Sequence, residues 1–274
     1  MKRTFPELSR SATYAIIFAA IAGSTTCALA TTRESSKIQE VSRGILLDAE
    51  GPRPLAEATK ALIDKYGVAI SYEDPQYVAQ EDLQDVTALG SNESDKGGSN
   101  RHPVIVPTGG ILRVTTDSKD VASIINQLVS VQNNAEHGGK FRVIKTGNFF
   151  HIVPSEVKHP DGNWGSHEST MDTRISIPAG NRNARDTIAT ICESLGKVAG
   201  VVVDPGFIMI NSDAPKFDFE ANNESARSVL MRALAITHLN YTWFLYYGDK
   251  GLGNSGYVLN LIPIPDRSSV PNVK

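Results

Sequence analysis

Cysteine is scarce in this sequence. Of 274 residues only Cys27 and Cys192 are cysteines, and Cys27 falls in a segment that reads as a leader. With one cysteine left, no internal disulfide can form. The folded chain must then rest on packed cores, which the remaining 244 residues are enough to build. A late apolar run is also missing, and a bilayer span needs about 20 such residues. Positive charge is in no excess. Of 27 basic and 30 acidic residues, three and one lie in the first 30, which leaves 24 and 29 and a net charge of −5. That balance argues against a nucleic-acid footprint. No His-Glu-x-x-His run, no Gly-x-Ser-x-Gly elbow and no Gly-x-x-x-x-Gly-Lys loop occurs, so three common catalytic or phosphate-binding signatures are absent.

What is present begins with an address. Lys2, Arg3 and Arg10 precede a short apolar stretch from Ala12 to Gly23, and Ala28-Leu29-Ala30 is a small-x-small site. This predicts a secretory signal peptide over residues 1–30, cut between Ala30 and Thr31, and a periplasmic or otherwise exported chain. A retained anchor is the alternative, but a dozen apolar residues are short for one. A lipoprotein cut before Cys27 is another. Ser24-Thr25-Thr26 lacks the leucine usual three positions before such a cysteine, which argues against it.

A stretch of the chain is used twice. At an offset of 130, Ile45, Leu47, Asp74 and Pro75 fall on Ile175, Ile177, Asp204 and Pro205. At an offset of 105, Leu112, Val114, Val121, Ile124, Ile125 and Leu128 fall on Phe217, Phe219, Ala226, Val229, Leu230 and Ala233. The drop of 25 is the length of an insertion between Pro75 and Leu112, which includes a polar, glycine-rich loop at 87–103.

Periodicity places the elements. Residues 31–43 are unpatterned and read as a flexible lead-in. Pro54 opens a helix with Leu55, Ala58, Leu62 and Tyr66 on one face, and Gly67 stops it. Asp117 is expected to cap a second helix, Asn183 a third and Asn222 a fourth. Thr146-Gly147-Asn148 splits a hairpin, and residues 154–172 read as a linker. The expected fold is α+β: two small βαββαββ modules over 44–154 and 173–264. Each has two helices packed on a short mixed sheet, and a loose tail covers 265–274.

The run Pro54 to Tyr72, followed by Asp74-Pro75 and closed by Phe150-His151-Ile152-Val153-Pro154, resembles the secretin and TonB short N-terminal domain. Asp204-Pro205 and Leu259-Asn260-Leu261-Ile262-Pro263 repeat those places in the second half. The resemblance implies a periplasmic module that works by protein contact, with an envelope protein as partner and no cofactor. Family members precede an outer-membrane barrel or a secretin ring. Residues 44–264 hold neither, so the partner is left open, as is oligomerisation.

No residue set shows catalytic or metal-ligand spacing. His159 and His167, with Asp161 and Glu168 nearby, could make a weak surface metal site, although solvated linker histidines fit as well. Cys192 falls on the apolar face of its helix, as a buried hydrophobe does. The candidate partner contacts are Phe141, Val143, Phe149, Trp243 and Tyr247. Strand alternation puts Trp243, Leu245 and Tyr247 on one face, and Phe244 and Tyr246 on the other. One face is expected to be core; an open second face would suit a partner or glycan, but core packing between the two units is the better fit. The alternatives to a contact module are an exported hydrolase with an unrecognised site and a cell-wall glycan binder that uses the Trp243–Tyr247 aromatics.

Overall fold

A computed structural model describes residues 36–41, 44–86, 105–206, 214–249 and 255–266. The leader with Cys27, Ala28, Ala30 and Thr31, the loop at 87–103 and the last eight residues lie outside the described residues. Within them the chain is α+β, in the order β1 (Ser36–Val41), β2 (Gly44–Gly51), α1 (Pro54–Tyr66), β3 (Ile70–Glu73), β4 (Leu83–Asp85), β5 (Ile105–Pro107), β6 (Gly110–Thr116), α2 (Val121–Asn133), β7 (Lys140–Thr146), β8 (Phe149–Lys158) and β9 (Trp164–Ser166). The second half follows as β10 (Arg174–Arg182), α3 (Ala184–Ala199), β11 (Val202–Pro205), β12 (Phe217–Ser225), α4 (Ala226–Ile236), β13 (Tyr241–Asp249) and β14 (Ser255–Pro263). None of the described helices is long and apolar enough to cross a membrane.

The helices form where the periodicity puts them. Pro54 starts α1, and Gly67 ends it in the left-handed region at φ 57°, its N–H on the Ile63 carbonyl at 2.8 Å. Asn183 caps α3 through the Asp186 N–H. Two caps differ from expectation. Asp120 rather than Asp117 caps α2, because Thr116 and Ser118 first turn the chain by bonding the Ser118 and Asp120 N–H groups. Ser225 rather than Asn222 caps α4, because β12 keeps its pairing as far as Ser225.

The two halves repeat the same pairings. β2 pairs antiparallel with β6, and β10 with β12. β3 runs parallel to β8, which runs antiparallel to β7; β11, β14 and β13 do the same. Ile45, Leu47, Ile175 and Ile177 are all buried, as the repeat requires. The Asp-Pro match does not carry over to the backbone. Asp74 N–H bonds the Leu245 carbonyl, away from β8, whereas the Gly206 N–H on Leu259 turns Asp204 toward β14. Val203, not the offset counterpart Val202, therefore stands as Tyr72 does, with its side chain in the core and its backbone facing away from the neighbour within its own half.

The halves are not separate modules on a linker. β13 pairs parallel with β3, so one sheet runs β11-β14-β13-β3-β8-β7, with β9 beside β8. β13 shows the consequence. Trp243, Leu245 and Tyr247 enter the core under α3 and α4, while Phe244 and Tyr246 pack in the core under α1 and α2. Both faces of the strand are core, as packing between the two units requires, and the alternative of an open aromatic face fails. Burying a side chain such as Phe stabilises by about 1.5–3 kcal/mol, and Phe244 is 1 % exposed, with Trp243 beside it at 0 %. The segment read as a linker is also built in. β8 continues to Lys158, β9 folds back on it, and Met171 lies in the second core. The lead-in is likewise structured where described, since β1 pairs along β2 and Ile38 packs on the first core.

Candidate interaction surface

β7 is the outer strand at one end of the central sheet. Pairing alternation settles which backbone groups it turns outward. Phe150 N–H bonds the carbonyl of Ala69, just before β3, so Phe150 faces away from β7, and its opposite residue Lys145 faces away from β8. Phe141, Val143 and Lys145 thus point their N–H and C=O groups off the edge. At Phe141 both groups are taken by the Asn133 side chain, each at 2.8 Å, much as a neighbouring strand would take them. Among the described residues no strand pairs with Val143 or Lys145 on that side. An edge of this kind is a template for another strand.

Of the five candidate contacts, the structure keeps two at the surface. Val143 and Phe149 are half-buried. Phe141, Trp243 and Tyr247 are core residues, Trp243 wholly so. The correction follows from the shared sheet, because β13 lies in its middle where no face meets water. Sequence reasoning missed a neighbouring feature. A cleft of about 190 Å³ is lined by Tyr72, Tyr77, Gln132 and Phe141, with Ile111 and Val131 exposed at its rim. The cleft reaches β7 at Phe141, the residue whose outward backbone groups Asn133 takes.

A second cluster lies between the halves. Ser71 Oγ and His151 Nδ1 share a hydrogen bond at 2.8 Å, and both residues are fully buried. Ser169 donates a short hydrogen bond to Glu73, and Arg227 Nη2 donates to Ser169 at 2.9 Å and to Glu73 Oε2 at 3.3 Å. Arg227 also meets Asp172 at 3.1 Å. Burial pushes the Glu73 carboxyl up to about 7, against the pull of Arg227 and Ser169. Burial, helped by Arg227, pushes His151 down to about 4. Ser71 and His151 stand on parallel strands 80 residues apart, so no spacing in the sequence could pair them. Lying at zero exposure in the sheet, the pair works as a strand-to-strand tie rather than as a nucleophile open to substrate.

No family model matches the chain, and no curated protein or solved structure does. Among the described residues no three His, Cys, Asp or Glu side chains converge as metal ligands. His167 instead accepts the Gln76 N–H at 3.4 Å. Cys192 sits in the core with Ile188, Ile191 and Leu195 at 1 % exposure. A thiol reagent is expected to label it only after denaturation, at a rate limited by unfolding. Stoichiometric labelling of the native protein within minutes would contradict that placement.

Proposed function

We propose that this chain is an exported, periplasmic contact module that works by strand addition at the β7 edge rather than by turnover. The observation that carries the reading is the pair of outward backbone sites at Val143 and Lys145, with which no described strand pairs. The resemblance of residues 44–154 and 173–264 to the secretin and TonB short N-terminal domain supports it, and so does the leader-like start. The hydrolase alternative has Ser71–His151 as its best candidate, and that pair is sealed. The glycan alternative loses its aromatic face, since Trp243 and Tyr247 are buried.

The test is a photo-crosslinker in place of exposed Lys145, used in living cells. Adducts are expected there and not from the same group in place of Lys37 on β1. Val143→Pro should abolish them, because it removes an outward donor while leaving the β8 ladder intact, and circular dichroism should be unchanged. Equal adducts from both positions, or adducts that survive Val143→Pro in a folded protein, would reject the edge as the contact.

A further inference from the structure

We propose that the strand added to β7 is β11 of a second copy of this chain, so that the protein associates head to tail through its central sheet. The inference rests on the strand-addition reading and names its partner.

The internal junction supplies the template. Passing from the second half to the first, strand order is kept, strand direction is reversed and the helices change face. That combination is a half-turn about the hydrogen-bonding direction with a shift along it. Such an operator does not close on itself, and a heterologous contact that does not close propagates. Applied once inside the chain, it sets β13 parallel to β3. Applied again, it sets β7, the counterpart of β13, parallel to β11, the counterpart of β3. These are the two strands at the ends of the central sheet. Two applications of a half-turn restore strand direction and helix face, so successive molecules would differ by a translation and the accumulated twist of the sheet.

The outward groups fit this pairing. β11 turns the Val203 N–H and C=O and the Pro205 C=O away from β14, as the Gly206–Leu259 bond requires. Among the described residues no strand pairs there. Val202 is 41 % exposed, and Pro205 is exposed. β7 offers Val143 and Lys145. The internal junction is no longer than this, since it registers only Phe244 with Tyr72 and Leu245 with Glu73. Its side-chain clamp is not repeated. Arg53, which bonds Asp74 and the Tyr247 carbonyl, corresponds at the 130 offset to Asn183, the cap of α3. Asn133 and Pro205 each remove a backbone site from one edge. The contact between molecules is therefore weaker than the one within them, and reversible.

Sedimentation velocity on the purified mature chain, up to about 1 mM, tests this. The average mass should rise with concentration beyond a dimer. Val143→Pro kills one end and Val203→Pro the other, so each variant alone should stay monomeric. Mixed, they should form one-to-one dimers and nothing larger, because one live end remains on each. A Val203→Pro variant that still dimerises alone would show a β7-to-β7 contact and overturn the proposal. If either variant misfolds, the Lys145 photo-crosslinker in an otherwise unaltered chain decides, with its adduct expected on residues 201–206 of a second copy. Adducts on other envelope proteins only, with a monomer at every concentration, would reject self-association and leave the strand-addition reading standing. No edge adduct of any kind would reject both.

Discussion

Replacing Asp74 with alanine is expected to destabilise the protein by about 3–5 kcal/mol, the usual cost of breaking a buried ion pair from one side. The Asp74 side chain is fully buried. It accepts Arg53 Nε at 2.6 Å, Tyr72 Oη at 2.8 Å, Tyr77 Oη at 3.4 Å and the Tyr247 N–H at 2.9 Å. Arg53 also donates to the Tyr247 carbonyl at 2.5 Å and lies over the Tyr246 ring. One carboxylate thus ties β3 and α1 of the first half to β13 of the second. Without it the guanidinium, 15 % exposed, would keep its charge with no counterion, and two phenols and a backbone donor would lose an acceptor. The backbone junction is only two residue pairs long, so this clamp is a large part of what couples the halves. Urea unfolding followed by tryptophan fluorescence and by circular dichroism should give one transition for the parent and two non-coincident ones for Asp74→Ala. A loss under about 1 kcal/mol with a single transition would show that apolar burial along β13 is sufficient without the clamp.

The second large effect concerns pH, and it is hidden in the parent protein. Burial raises Glu73 from its ordinary 4.5 to about 7, so between those values the folded chain keeps a proton that the unfolded chain releases. Stability from this group is present below pH 4.5 and is lost as pH rises through 7. His151 runs the other way. Burial lowers it from 6.5 to about 4, so its contribution is present above pH 6.5 and is lost as pH falls through 4. Over the shared window the two slopes oppose each other. Relative to the parent, Glu73→Gln should lose about 1–3 kcal/mol on acidification from pH 6.5 to 4.5. His151→Gln should lose a similar amount on raising pH from 4.5 to 7. Urea midpoints across that range measure both. Variants that track the parent in parallel would mean that neither group carries its shift into the stability.

The repeat was legible from apolar positions because the strands of the two smaller sheets, β2 and β6 and β10 and β12, and the helices each bury one face. Ile45 and Leu47 had to recur as Ile175 and Ile177, and Ile124, Ile125 and Leu128 as Val229, Leu230 and Ala233. Central strands bury both faces, and there the same reasoning lost its purchase. Nothing in the alternation of Trp243, Phe244, Leu245, Tyr246 and Tyr247 says that each face belongs to a different half. The polar segment at 154–172 misled for the same reason, since its pairing to β8 rests on backbone groups that every residue carries. The slip of Asp204 out of the place held by Asp74 is likewise a matter of backbone parity, and parity is invisible until a strand has a partner.

By itself the sequence determined the α+β class, the duplicated order of strands and helices, the stop at Gly67, the cap at Asn183 and the burial of Cys192. Each of these depends on local conformation or on one periodic face, which neighbouring residues specify. Only the tertiary structure decided that the halves share a sheet, that β7 and β11 end it, that Asn133 closes part of the β7 edge, and that Ser71 meets His151. Those depend on which backbone pairs with which across the chain, a choice made by long-range packing.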